Sequence, residues 1–86
     1  MKVFIPSPLH SYTGSKGSVE AKGKTVDQVT HDLDRQFPGI RFRIIDEQNR
    51  IRPHIKIFVN KDQTFDLASA LEPSDELTFV QAFSGG

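Results

Sequence analysis

Hydrophobic and polar residues alternate in four short stretches of the chain, and this period of two predicts β-strands. The four stretches are Met1–Ile5, Ser18–Ala21, His54–Asn60 and Glu76–Phe83. The first two are separated by Thr13–Ser18, a run rich in glycine and serine that is typical of a turn. We therefore expect the first two strands to form a hairpin.

One stretch has the period of a helix, from Thr25 to Phe37. Its apolar stripe consists of Val26, Val29, Leu33 and Phe37. Thr25 and Gln28 have the spacing of a capping box, which predicts where the helix starts. Pro38 disfavours the helical conformation in the residue before it, which predicts where the helix ends.

The connections are less clearly patterned. Ile40–Arg52 leaves two alternatives open, because the alternation of Ile40, Phe42 and Ile44 with arginines suits a strand and a short helical turn almost equally. Turns are predicted at Lys61–Gln63 and at Glu72–Asp75. Between them, Thr64–Leu71 is expected to combine a short extended piece with a bend.

The order of elements is hairpin, helix, strand, irregular connection and strand. It predicts an α+β fold in which one main helix lies across one face of a small mixed sheet. The first and last strands are apolar enough to be central neighbours, which would make them a parallel pair. This is the ubiquitin-like β-grasp arrangement, for which we expect a domain at residues 1–80 and a flexible C-terminal tail at residues 81–86.

Composition narrows the classes of function. The chain has 86 residues, enough for one small domain, and its eleven basic residues balance eleven acidic ones. Zero net charge provides no global field for a nucleic acid, so we expect no nucleic-acid partner. Without cysteine there is neither a disulfide nor a thiolate nucleophile. With no membrane-length apolar run, we expect a cytoplasmic monomer with no membrane association.

Several polar residues are candidates for a metal-binding, acid–base or charged binding site. The chain has three histidines, His10, His31 and His54, and they fall on separate predicted elements. We therefore expect no metal site. Two carboxylate pairs are interpreted as solvated faces, since no nucleophile accompanies them: Asp32 with Asp34, and Asp46 with Glu47. The basic run could contact an acidic enzyme surface or RNA, although solvated charge is favoured: Arg41, Arg43, Arg50, Arg52 and Lys56.

The chain ends in Val80-Gln81-Ala82-Phe83-Ser84-Gly85-Gly86. A strand leading to a free Gly-Gly on this order of elements resembles the MoaD/ThiS superfamily of sulfur carriers, and most of all its CysO-like branch. Further marks of the resemblance are Ile5-Pro6, Tyr12-Thr13-Gly14, Pro38-Gly39-Ile40, Ile57-Phe58-Val59-Asn60 and Ser74-Asp75-Glu76-Leu77. Two positions depart from the family pattern, since members often carry proline at the place of Gln81 and glycine at that of Ser74.

The resemblance implies that the reacting group is the C-terminal carboxylate of Gly86, with Gly85 beside it. In the family, a ubiquitin-activating-type enzyme adenylates this carboxylate with ATP, and a persulfide sulfur then replaces AMP. The resulting thiocarboxylate supplies sulfur for cysteine, molybdopterin or a similar product. The chain is then a protein cosubstrate and not an enzyme, with no bound cofactor. Its second partner is a sulfur-accepting biosynthetic enzyme, for which a cysteine synthase is one candidate.

The alternation of the strands also predicts a surface for the activating enzyme. Phe4, Phe58 and Val80 point away from the helix and would be contiguous in a β-grasp sheet. We expect them to bind that enzyme together with the tail residues Phe83 and Ser84. The alternative is that the Ile40–Arg52 connection folds over this face and buries it.

Two other functions share the same fold. A ubiquitin-like modifier would use the same adenylate but join Gly86 to lysines of other proteins. A β-grasp binding module with an incidental tail would tolerate the loss of Gly85 and Gly86.

Overall fold

The sheet has five strands, and the computed structural model describes it within residues 1–82. The strands are β1 (Lys2–Phe4), β2 (Ser18–Glu20), β3 (Ile55–Val59), β4 (Asp62–Thr64) and β5 (Glu76–Gln81). Their order across the sheet is β2-β1-β5-β3-β4. β1 and β5 are parallel and the other neighbours antiparallel. The predicted mixed sheet with a central parallel pair is confirmed.

The main helix, α1 (Val26–Gln36), begins and ends close to the predicted positions. Thr25 caps it by accepting a hydrogen bond from the Gln28 backbone N–H at 3.2 Å. The Gln28 side chain accepts from the Lys24 N–H at 2.8 Å, one residue before the partner that a capping box predicts. Three members of the predicted stripe are fully buried: Val26, Val29 and Leu33. The fourth, Phe37, is half-buried.

The connection after α1 is helical: α2 spans Ile40–Ile44. Of the two alternatives, the helical turn is correct, because it buries Ile40 and Ile44 on one face and leaves Phe42 53% exposed. Gly39 separates the helices at φ 97°, in the left-handed region that glycine adopts readily. The Asp34 carboxylate stabilises the start of α2 by accepting from the N–H groups of Gly39 and Arg41, at 3.1 and 3.2 Å.

Two elements differ from the sequence prediction. Ser7–Tyr12 forms a 3-10 helix after β1, in a segment for which only the end of the strand was predicted. The turn predicted at Lys61–Gln63 is present but begins and ends earlier, because Asp62 and Gln63 already lie in β4. The turn is instead the pair Asn60-Lys61, since Val59 and Asp62 are already paired. Asn60 has φ 56°, a conformation that asparagine tolerates better than most residues.

Asp32 is buried, and the prediction of a solvated carboxylate is wrong for this residue. It accepts hydrogen bonds from the Lys22 N–H and the Gln36 side chain, both at 3.0 Å, and it binds Arg35. The backbone bond from Lys22 is the main reason that the pKa of Asp32 is below its usual range. Gln36 also donates to the Glu20 carbonyl at 3.0 Å. Asp32 and Gln36 therefore join α1 to β2.

Asp46 has a comparable structural role in the loop after α2. Its carboxylate accepts from the N–H groups of Gln48 and Arg50, each at 2.9 Å. The bond from Arg50 is the largest cause of a lowered pKa at Asp46. One carboxylate of each candidate acid–base pair, Asp32 and Asp46, therefore accepts hydrogen bonds from backbone N–H groups of the chain itself.

The hydrophobic core lies between the helices and one face of the sheet. The strands contribute Val3, Ile57, Leu77 and Phe79, and the α2 segment contributes Ile40, Ile44 and Ile45. Within residues 1–82, no helix has both the length and the apolar composition needed to cross a membrane.

Candidate functional site at the end of the last strand

The end of β5 is the point from which the C-terminal residues leave the sheet. β5 lies between β1 and β3 and runs to Gln81, the first residue of the predicted tail. The backbone remains bound one residue further, because Ala82 N–H donates to the His54 carbonyl at 2.8 Å. The predicted site residues Phe83, Ser84, Gly85 and Gly86 lie outside the described residues, so their roles stay predictions.

This anchoring shortens the reach of the terminus. The sequence alone allowed six residues from Gln81 onward, or about 20 Å when extended. Because Gln81 and Ala82 are bound to β3, only the four residues 83–86 can extend beyond the sheet, and their covalent length is at most about 14 Å. While these bonds to β3 hold, the covalent chain allows the carboxylate of Gly86 to reach no farther than about 14 Å from Ala82.

The sheet face opposite the helices holds the three apolar residues predicted to bind a partner. Phe4 and Phe58 flank Thr78 in one row across β1, β5 and β3. Val80 follows Thr78 on the same face, where it pairs with Lys56. Phe4 and Phe58 are half-buried, and Val80 is exposed. The structure thus brings the three together on one face, while their role in binding stays a prediction.

The connection after α1 does not bury this face. Ile40, Ile44 and Ile45 of that connection belong to the core on the helical side of the sheet. Arg41 holds the connection against α1, because its guanidinium donates to Asp27 at 2.8 Å and to the Thr30 hydroxyl at 3.0 Å. The alternative in which Ile40–Arg52 folds over Phe4 and Phe58 is therefore wrong.

Phe65 is an exposed aromatic residue that sequence reasoning missed. It is 80% exposed and follows β4 directly. Since Ile57 pairs with Thr64, the same register places Phe65 next to Lys56, and both line one groove at the edge of β3. In the sequence, Phe65 is only a lone phenylalanine after a polar run. That pattern does not show on which face of the sheet the side chain lies until the β3–β4 register is known.

A small cleft of about 250 Å³ adjoins the end of β5 on the helical side. Tyr12, Arg43, His54 and Gln81 are among the residues that line it. Arg43 is exposed and donates from Nε to the Tyr12 hydroxyl at 2.7 Å. This hydrogen bond raises the pKa of Arg43 above its already high value, so the guanidinium is charged at every physiological pH.

The three histidines lie on different elements. His10 Nε2 is 2.8 Å from the Ile5 carbonyl, and His31 Nε2 is 3.5 Å from Asp27. His54 lines the cleft beside Gln81. Within the described part of the chain, no group of three or more histidine, aspartate or glutamate residues is arranged to hold a metal ion.

These features define a ubiquitin-like β-grasp domain with an anchored last strand that leads to a Gly-Gly terminus. Residues 3–86 match the ThiS family model, and the chain belongs to the ThiS family. It is 36% identical over 89 residues to the sulfur carrier protein CysO of Mycobacterium tuberculosis and to that of Mycobacterium bovis. In both comparisons the alignment covers 98% of this chain and 96% of the relative.

Solved structures agree with this assignment. A chain in the crystal structure of the Amycolatopsis orientalis BexX/CysO complex superposes with a TM-score of 0.90 at 33% identity, covering 99% of this chain and 98% of the other. Mycobacterium tuberculosis CysO gives a TM-score of 0.89 at 31% identity, covering 95% and 98%. SAMP1 of Haloferax volcanii, at 24% identity and a TM-score of 0.77, shares the fold.

Proposed function

We propose that this chain is a sulfur carrier whose reacting group is the carboxylate of Gly86. The main support is its match to sulfur carrier proteins over nearly the whole length of both chains. The end of β5 supports the same function, because it anchors the backbone at Ala82, four residues before Gly86. In this role the chain is a protein cosubstrate, and the catalytic groups belong to its partners.

The chemistry requires activation, because a carboxylate is a poor electrophile. A carboxylate oxygen of Gly86 attacks the α-phosphorus of ATP, pyrophosphate leaves, and an acyl-adenylate forms. A persulfide sulfur from a donor then attacks the acyl carbon and displaces AMP. A thiol reductant cleaves the remaining sulfur–sulfur bond and releases the thiocarboxylate. ATP is thus bound by the adenylating partner and not by this chain.

Glycine suits the last two positions because the acyl carbon has to approach ATP in a narrow channel. A residue without Cβ approaches other atoms closely and adopts conformations that other residues avoid. The anchored root at Ala82 fixes the starting point of the tail. Because the remaining length is at most about 14 Å, the domain has to dock with Ala82 close to the mouth of that channel.

The open sheet face is the proposed docking surface for the adenylating enzyme. Phe4, Phe58 and Val80 offer apolar surface next to the end of β5, and Phe65 extends it beyond Lys56. The relative from Amycolatopsis orientalis is known in a complex, BexX/CysO, which supports assembly with a partner protein as part of this function. The sulfur-accepting biosynthetic enzyme is the second proposed partner.

The test is intact-mass spectrometry of the chain after incubation with the adenylating enzyme, ATP and a sulfur donor. We expect one oxygen of the wild-type chain to be replaced by sulfur. Oxidation of Met1 gives nearly the same mass change, so the product is then treated with iodoacetamide. The chain has no cysteine, and alkylation at neutral pH therefore identifies the thiocarboxylate.

The matched control is deletion of Gly86, which displaces the terminal carboxylate by about 3.5 Å. Because a misplacement of 1 Å can cost about a hundredfold in rate, we expect the deletion variant to gain no sulfur. Gly85→Ala is expected to fold as the wild type does but to react more slowly. A wild-type chain that becomes linked to lysines without gaining sulfur would contradict the proposal and indicate a modifier. One that gains neither sulfur nor a lysine link would leave a binding module.

A further inference from the structure

The arginines of this chain fall into two groups. Three of them bind a carboxylate: Arg35 binds Asp32, Arg41 binds Asp27 at 2.8 Å, and Arg50 binds Asp46 at 3.4 Å. The other two, Arg43 and Arg52, have no carboxylate partner within residues 1–82, the part that the structure describes. Arg52 is engaged in another way, because it donates to the Phe42 carbonyl at 2.6 Å and lies 4.5 Å from the centre of the Phe42 ring.

Arg43 and Lys56 flank the end of β5 from the two faces of the sheet, and we call them the tail-root cations. Arg43 lines the cleft beside Gln81 on the helical side. Lys56 is exposed on the open face, where it pairs with Val80, the residue before Gln81. Neither cation forms an ion pair with any residue between Met1 and Ala82. The ion pairs among the described residues include no lysine, so it is the position opposite Val80 that distinguishes Lys56. Two exposed cations therefore lie on either side of the root of the tail.

The short reach of the terminus determines what these cations meet. An enzyme that adenylates the Gly86 carboxylate has to enclose it within about 14 Å of Ala82. The rim of its active site is then in contact with the surface around Ala82. When the tail is extended, the reacting carboxylate and the phosphates of ATP lie at its far end, whereas Arg43 and Lys56 lie at its root. A protein rim is thus the expected neighbour of Arg43 and Lys56, and the nucleotide is not.

We infer that Arg43 and Lys56 bind carboxylates on an acidic rim at the entrance to the active site of the adenylating enzyme. The inference rests on the proposed function and adds the chemistry of the partner surface. A guanidinium held at Nε by Tyr12 still presents its two terminal nitrogens, which can bind a carboxylate. Lys56 adds a second positive charge on the other face, so the pair fixes the angle at which the tail enters.

Charges at the rim of an interface act mainly on the rate of association and on its dependence on salt. The screening length of about 10 Å at 0.1 M salt falls to about 3 Å at 1 M, so high salt weakens such contacts. Once the carrier is docked, the chemical step involves the Gly86 carboxylate and ATP. Loss of the tail-root cations is therefore expected to raise KM and to leave kcat unchanged.

The experiment compares the double variant Arg43→Glu/Lys56→Glu with wild type in the sulfur-gain reaction, with circular dichroism melts to verify folding. The control is Lys61→Glu, which makes the same kind of charge reversal in the β3–β4 turn, at the other end of β3. At low salt we expect KM to rise about tenfold or more in the double variant and less than about twofold in the control. At 0.5 M salt the difference between double variant and wild type should shrink. Arg43→Gln/Lys56→Gln serves the same purpose if the reversal variant does not fold.

Each outcome is decisive. A double variant with the KM of the Lys61→Glu control, while wild type gains sulfur, overturns the inference and leaves the proposed function intact. A fall in kcat at unchanged KM also overturns it, because the cations would then act at the nucleotide. A wild-type chain that gains no sulfur refutes the proposed function, and the inference with it.

Discussion

The buried carboxylate of Asp32 provides a test of how α1 is joined to the sheet. Asp32→Asn keeps the shape of the side chain but removes its charge and replaces one acceptor oxygen with a donor. The contacts at risk are those to the Lys22 N–H, to Gln36 and to Arg35. Hydrogen bonds to charged groups are each worth about 1.5–3 kcal/mol, whereas an ion pair with an exposed arginine adds little. The Arg35 side chain is 76% exposed, so we expect a net loss of about 2 kcal/mol at pH 7.

The pH dependence of this loss has a definite sign. The pKa of Asp32 is lower in the folded chain than the value of about 3.9 for a free aspartate. Its contribution to the free energy of unfolding is therefore complete above about pH 4 and is lost as the pH falls through the lowered value. Below that range the wild-type side chain is protonated and, like asparagine, uncharged, so the difference between the two proteins should shrink.

The assay is urea unfolding followed by circular dichroism, from pH 7 to pH 2.5 at constant ionic strength. Asp62→Asn is the matched control, because Asp62 is exposed in β4 and makes no side-chain hydrogen bond within the described residues. We expect that variant to change the free energy of unfolding by less than about 0.5 kcal/mol. A deficit for Asp32→Asn that stays constant down to pH 2.5, or one no larger than that of the control, would refute the reasoning.

The remaining predictions concern the core and the open face. Leu33→Ala should cost about 2–5 kcal/mol in a denaturant melt, because Leu33 is fully buried in α1, and a loss below about 0.5 kcal/mol would show that the stripe is not core. Phe58→Asp should leave the domain folded and weaken binding of the adenylating enzyme by about 2 kcal/mol or more, roughly thirtyfold in Kd by titration calorimetry. Phe42→Asp is its control, the same change on α2 at a 53% exposed residue, and equal binding by the two variants would contradict docking at Phe58.

The order of elements and most of the core could be predicted from the sequence because they depend on local periodicity. Ile40 and Ile44 show where that information ends, since their spacing fits a strand and a helix alike. The helix is favoured by a contact from another element, in which Asp34 accepts from the N–H groups of Gly39 and Arg41. Sequence spacing does not reveal that contact.

The candidate site, too, could be predicted from the sequence only where it depends on local periodicity. The alternation of β1, β3 and β5 correctly placed Phe4, Phe58 and Val80 on one face. The anchoring of Ala82 was not predictable, because its partner is the His54 carbonyl on another strand. Asp32 was misread for a similar reason: its main donor, Lys22, lies ten residues earlier and reaches it only when β2 and α1 are packed together.

The hydrogen bond from Gln36 to Glu20 has a consequence for how the protein behaves at high concentration. β2 is an edge strand, and Gly17 and Ala21 use their backbone groups to bond β1, so the Glu20 carbonyl and the Lys22 N–H point to the unpaired side. An unsatisfied edge is a template for pairing with a second molecule and for aggregation. Because Gln36 and Asp32 occupy these two groups, a foreign strand would first have to break both bonds. These two contacts therefore oppose pairing of a second molecule along β2.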